Sequence, residues 1–219
     1  MQIKGIDVSH WNGCIDFEKV KASGIDFAII KAGGSDKGFY TDSRFRENYE
    51  KAKAAGLYVG AYYFAGMYFR GIEAGVTDAH KFIEILKGLK FDYPVFLDIE
   101  AQDNRYKDGI TDAAVAFCQE MEKAGYFVGI YASDISGFQF KLSHDRIKPY
   151  AHWVARYGHE PIVCKEYGIW QYSSKGTVNG ISGSVDMDIS TVDYAKTIKE
   201  KGFNGYPKKE SKKRKSKEE

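Results

Sequence analysis

Apolar positions along the chain follow two rhythms. Short runs rich in β-branched and aromatic residues recur at Ile3–Val8, Phe27–Lys31, Leu57–Phe64, Val95–Glu100, Phe127–Tyr131, His152–Ala155 and Gly168–Gln171, with a shorter one at Val185–Asp188. Runs of this length and composition predict strands. Between them, apolar residues spaced three and four apart predict helices over Phe17–Ala22, Ser43–Ala55, Ile72–Leu86, Asp112–Ala124 and Val192–Lys201. Glycine follows Ala55, Ala124 and Lys201, where helices commonly end in a left-handed residue. Thr111, just before Asp112, is the expected N-cap of its helix.

Strands alternating with crossover helices predict a mostly parallel sheet. Eight strands in a chain of 219 residues favour a closed barrel over an open doubly wound sheet. The stretches after Tyr131 and from Pro149 onward look helix-poor, so fewer than eight helices are expected. The fold class is therefore α/β, an irregular TIM-like (β/α) barrel. Residues 1–207 are expected to form it, and 208–219 a disordered basic tail. No G-x-G-x-x-G follows the first strand, which counts against dinucleotide binding.

The chemistry concentrates where strands end. Pro94-Val95-Phe96-Leu97-Asp98-Ile99-Glu100 is an apolar run closing in two carboxylates one residue apart. Alternation along a strand puts Asp98 and Glu100 on one face, where their charges repel unless a proton or a cation lies between them. In barrels of this class the strand C-termini form the active rim. Asp7 ends the first strand, Tyr62 and Tyr63 lie in the third and Tyr131 ends the fifth. Trp153, Gln171, Asp186 and Asp188 come from the last three. An acid, partner carboxylates and flat rings are what glycan hydrolysis requires. Neighbouring aspartates would raise Glu100 and keep it protonated for donation. Two residues of strand rise separate the Cα atoms by roughly 6.6 Å, which leaves the stereochemical outcome open.

Several segments together resemble the family 25 glycoside hydrolases, the Chalaropsis-type lysozymes. They are Gly5-Ile6-Asp7-Val8-Ser9-His10-Trp11-Asn12-Gly13, Gly60-Ala61-Tyr62-Tyr63-Phe64, Leu97-Asp98-Ile99-Glu100, Trp153-Val154-Ala155-Arg156-Tyr157, Trp170-Gln171-Tyr172 and Gly183-Ser184-Val185-Asp186, in that order. The resemblance implies cleavage of the β-1,4 bond between N-acetylmuramic acid and N-acetylglucosamine in bacterial peptidoglycan, with retention and without cofactor or metal. It implies Glu100 as general acid, Asp98 as partner, and Asp7 and Asp186 as further acidic residues of the site. Tyr63 stands where many members carry His, and Asp188 where Asn is frequent. Tyr62, Tyr63, Tyr131, Trp153, Gln171 and Asp188 are the expected substrate contacts. Trp11, Trp153 and Trp170 are read as largely core, with edges reaching the cleft, and His10 as a packing residue.

Composition narrows the partners. Residues 208–219 carry seven Lys or Arg against three Glu, leaving 25 basic and 27 acidic side chains in the rest. A nearly neutral body gives no nucleic-acid footprint, while the tail could meet anionic wall polymers. Three widely spaced cysteines, Cys14, Cys118 and Cys164, predict idle thiols and no structural metal site. No signal peptide is recognised at the start, and no apolar run reaches the length of a membrane span. An endolysin-like monomer held in the host cytoplasm until release is the expected role, with a bacterial autolysin exported by a non-standard route as the second. The competing classes are a metal-dependent barrel hydrolase and a wall-glycan binding module without turnover.

Overall fold

A computed structural model describes residues 2–208; the basic tail from Lys209 onward lies outside them. The strands are β1 (Ile3–Val8), β2 (Phe27–Gly34), β3 (Tyr40–Thr41), β4 (Tyr58–Phe64), β5 (Val95–Asp98), β6 (Val128–Ser133), β7 (Ala151–Ala155), β8 (Ile169–Gly176) and β9 (Val185–Ser190). The helices are α1 (Phe17–Ala22), α2 (Phe45–Ala54), α3 (Ile72–Leu86), α4 (Lys107–Lys123), α5 (His144–Ile147) and α6 (Tyr194–Lys201).

Neighbouring strands run in the order β1-β9-β8-β7-β6-β5-β4-β2, and β1 pairs with β2 to close an eight-stranded barrel. β3 adds only a two-residue ribbon on the end of β2. The pairs from β1–β2 round to β7–β8 are parallel, whereas β9 is antiparallel to both its neighbours. The expected irregular barrel is therefore the fold, with its last strand reversed.

Strand alternation sorts the side chains into two cores. Phe27, Ile29, Phe96, Tyr131, Trp153 and Ile169 fill the barrel interior, and Tyr194 and Ile198 of α6 close it from below. Ile6, Val8, Ile30, Val59, Leu97 and Val154 point outward under the helices. Helix α3 shows why its sequence folds as it does: Gly75, Ala79, Phe82 and Leu86 recur at helical spacing and are all buried. A Cβ at Gly75 would stand 2.1 Å from the Ala113 carbonyl oxygen, so glycine is what lets α3 lie against α4. Burying Phe82 there contributes about 2–3 kcal/mol.

One local expectation changes. Thr111 does not cap a helix; α4 starts four residues earlier, behind a 3₁₀ turn, Asn104–Tyr106, capped by Asp103. Thr111 instead lies inside α4, donating its hydroxyl to the Lys107 carbonyl and accepting from the Ser143 N–H. The segment after β6 is helix-poor as expected but ordered, a π-helical turn, Asp134–Gln139, leading on to the four-residue α5. From Pro149 to α6 no helix forms among the described residues. Buried Asp134 organises the β7–β8 connection there, accepting from Arg156 Nη1 and from the N–H groups of Ile162, Val163 and Cys164. Burial alone would raise this carboxyl; those donors outweigh it and hold it below its ordinary range.

Candidate active site

At the C-terminal rim of the parallel strands lies a cavity of about 240 Å³. Asp7, Asp98, Glu100 and Asp186 all border it, so four carboxylates from β1, β5 and β9 meet in one place. Asp98 is the last residue of β5, and Glu100 lies beyond the strand. The Ile99 N–H still donates to the Tyr131 carbonyl at 2.9 Å, which carries the extended backbone one residue further and brings Glu100 out on the same side as Asp98. Lys141 Nζ donates to the Glu100 carbonyl and latches this extension from the loop before α5.

Asp186 arrives from the opposite direction. It is the second residue of β9 and pairs in register with Asp7, so the start of this reversed strand, not its end, supplies the fourth carboxylate. Strand reversal therefore delivers to the active rim a residue that a parallel strand would have placed at the floor.

Burial and crowding act together on these groups. Asp98 is 4% exposed, and burial first, then the Glu100 charge, push its carboxyl well above the ordinary range. Lys31 and Lys141 oppose that push. Asp7 is raised likewise, by burial and then by Asp188 and Asp186. Burial and Glu100 bring Asp186 up to about 6. Glu100 is the exposed member of the set.

A polar network stands behind the carboxylates, although Asp98 Oδ1 and Asp188 Oδ2 are buried without a hydrogen-bond donor among the described residues. Gln171 donates its amide hydrogen to Asp7 Oδ2 at 2.7 Å, and its carbonyl oxygen accepts from the hydroxyls of Tyr131 at 2.9 Å and Tyr157 at 3.1 Å. Gln171 and Tyr131 border the cavity, but these hydrogen bonds already engage them in holding Asp7. Tyr62 also borders it, set edge-on to Trp153 with ring centroids 6.0 Å apart. Trp153 is buried with only an edge at the cavity, and its Nε1 donates to Asp188 Oδ1 at 2.8 Å.

Two expected substrate contacts lie elsewhere. Tyr63 is fully buried on the outer face of β4, packed against Phe82 and Phe117 beneath α3 and α4. Period-two alternation dictates this: with Tyr62 inside, its neighbour must point out. Asp188 is 1% exposed and sits below the cavity floor, out of reach of a bound glycan.

Five residues lining the cavity were not among the expected contacts, Ser9 and Phe64 and three that matter more. Trp11, read as largely core, is 78% exposed and borders the cavity from a 3₁₀ turn, His10–Asn12, capped by Ser9. Its ring leans on His10 at 4.5 Å between centroids, and His10 Nδ1 is fixed by Asp42 at 2.5 Å. Lys31 is buried on the inner face of β2, its ammonium 4.4 Å from the centre of the Phe64 ring. The sequence signal was present: in Phe27-Ala28-Ile29-Ile30-Lys31, the lysine shares the inner face with Phe27 and Ile29. Tyr157 is the third, half-exposed beside Gln171.

Comparison with known proteins agrees with this geometry. Residues 6–181 match the glycosyl hydrolases family 25, a span that includes Asp7, Asp98 and Glu100 and stops just short of Asp186. Over 187 residues the chain is 33% identical to an autolytic lysozyme of Clostridium acetobutylicum, covering 85% of this chain and 55% of that protein. It thus spans little more than half the length of that relative. The CTP1L endolysin has a TM-score of 0.77 at 32% identity, with 90% of this chain and 69% of that one covered. The modular autolysin LytC of Streptococcus pneumoniae, solved with a synthetic peptidoglycan ligand, has a TM-score of 0.74 at 26% identity, covering 86% of this chain and 46% of the other. With a matched span from the first strand to the threshold of the last, the chain belongs to the glycosyl hydrolases family 25.

Proposed function

We propose that the protein is a lysozyme that hydrolyses the β-1,4 bond between N-acetylmuramic acid and N-acetylglucosamine of bacterial peptidoglycan. The observation that carries this reading is the convergence of Asp98 and Glu100, with Asp7 and Asp186, on one aromatic-walled cavity at the barrel rim. Glu100, exposed at the mouth, is placed to give a proton to the leaving oxygen. Asp98 lies deeper and faces the developing positive charge at the anomeric carbon. Burial resists its ionisation, and Lys31 and Lys141 are the cations in place to favour the carboxylate as that charge grows. Retention at the anomeric carbon is the proposed stereochemical course.

Mass spectrometry of fragments from digested walls tests the specificity. Muramic acid is the expected new reducing end, and N-acetylglucosamine would overturn the assignment. Proton NMR of the first product tests the stereochemistry, with the β-anomer expected and the α-anomer refuting retention. The cations set against the carboxylates are the side chains Lys31 and Lys141, and the reading preferred is acid/base chemistry over a metal-dependent hydrolase. Activity unchanged by EDTA is the expected result, and loss that added metal restores would reverse the preference. The names of relatives, an endolysin and autolytic enzymes, support a role in wall lysis, and release from within the cell is the route proposed here. Expression in the host with and without a membrane pore-former tests that route, with lysis expected only when the pore is present.

A further inference from the structure

Below the cavity floor lies a carboxyl group that the proposed chemistry leaves unused. Asp188 is almost wholly buried on β9, flanked in register by Gly5 of β1 and Gln171 of β8. Its Oδ1 accepts the Trp153 indole hydrogen at 2.8 Å. Its Oδ2 is buried, and no N–H or O–H of the described residues reaches it. What lies within hydrogen-bonding reach of the Asp188 carboxyl is another acceptor, the carboxyl of Asp7. Asp7 in turn takes its one side-chain donor from Gln171. The other ionisable groups facing this pair are Asp186 on the same strand, Tyr172 on β8 and, around Asp7, Asp98 on β5 and the hydroxyls of Tyr62, Tyr131 and Tyr157. Lys31, the cation bordering the same cavity, acts on Asp98.

Two ionised carboxylates in contact, buried and without a counter-ion, repel strongly. A proton between them converts the repulsion into a short, charge-assisted hydrogen bond. We propose that Asp188 Oδ2 and the Asp7 carboxyl share one proton, so that Trp153, Asp188 and Gln171 together orient Asp7 at the cavity wall. Asp188 is then a positioning residue, acting on the reaction through Asp7. Burial and the Asp186 charge, opposed by the Trp153 and Asp7 hydrogen bonds, bring the Asp188 carboxyl up to about 8, and burial with the Asp188 charge raises Asp7 well above its ordinary range. The shared proton is therefore retained through neutral pH and lost as the solution turns alkaline. Its consequence for turnover rests on the lysozyme reading; the position of the proton does not.

The test compares Asp188→Asn with Asp188→Leu in the full chain. Asparagine can keep both bonds, its carbonyl accepting from Trp153 and its amide donating to Asp7 without a titrating proton. Asp188→Asn should retain kcat/KM near pH 6 within about threefold and lose the alkaline decline, whose midpoint should move up by about one pH unit or more. Asp188→Leu should lose about tenfold or more at the same pH, expressed in kcat. Infrared difference spectra near pH 6 should show one protonated-carboxyl C=O band in the wild type that disappears in Asp188→Asn and persists in Glu100→Gln. An unchanged alkaline limb in Asp188→Asn, or no missing carboxyl band, would overturn the proposal. If the wild type fails to cleave walls while the band behaves as described, only the lysozyme reading falls.

Discussion

Trp11→Ala isolates the part of the site that exposure reveals. The indole is 78% exposed and leans only on His10, at the edge of the cavity that Asp98 and Glu100 share. A fully covered aromatic side chain buries roughly 150–250 Å², so a pyranose resting on one face covers about 100 Å² of it. At about 25 cal/mol per Å², that contact contributes about 2.5 kcal/mol. Ordering of the sugar and of the ring offsets part of this, leaving about 1.4–2.5 kcal/mol, or a roughly 10- to 60-fold fall in kcat/KM. The loss should appear as a higher KM with kcat nearly constant, because stacking holds ground state and transition state alike. Initial rates on soluble glycan fragments of purified walls, with thermal denaturation alongside, provide the assay. Because the ring buries almost nothing in the free protein, stability should stay within about 0.5 kcal/mol of wild type. A folded variant whose kcat/KM is within about twofold of wild type would refute the stacking role.

Other outcomes follow from the same geometry. Glu100→Gln, at an exposed position, should keep the fold and lower wall lysis by about 10²- to 10⁴-fold; lysis at the wild-type rate would move the acid to another residue. Lys141→Met removes the latch on the Glu100 carbonyl and one of two cations acting on Asp98, and should reduce kcat by about three- to tenfold, measured on the same fragments. Tyr63→Phe should leave activity intact and stability equal or higher by up to about 1 kcal/mol, because its buried hydroxyl has no hydrogen-bond partner. Asp78, on α3 and outside the cavity lining, is raised to about 6 by burial, with a Ser35 hydrogen bond opposing. A carboxyl raised in the folded state contributes stability that is complete below its unfolded value, about 4, and lost as pH climbs towards 6. Asp78→Asn should therefore gain melting temperature relative to wild type between pH 4 and pH 7, and a pH-independent difference would contradict that account.

The barrel was legible because its signals are local. Seven parallel strands and the faces of α2, α3 and α4 follow from runs and spacings that each stand alone in the chain. The pairing of Asp98 with Glu100 was legible for the same reason, both residues lying on a single extended segment. Tyr63 shows a rule available but unused: alternation places Tyr62 and Tyr63 on opposite faces, so both could not reach the cavity. Trp11 was hidden by a sound prior, that large rings are buried, which fails on a short capped turn that has nothing to pack beneath. The direction of β9 could not be read at all, since a strand carries no mark of its orientation. Only the short connection from Gly176 to Val185, with no crossover helix, hints at reversal. Thr111 misled because a good capping residue is also tolerated inside a helix when its hydroxyl finds the carbonyl four residues back.

The seam between β1 and β9 joins nearly the first residue of the barrel to nearly the last, setting Asp7 opposite Asp186. Until synthesis passes residue 190, the ring has a gap on the side where half of its acidic groups belong. A chain trimmed before β9 would lack Asp186 and would leave Asp7 without its partner strand on that side. The last strand laid down thus completes the ring of backbone pairing and the set of four carboxylates in a single step.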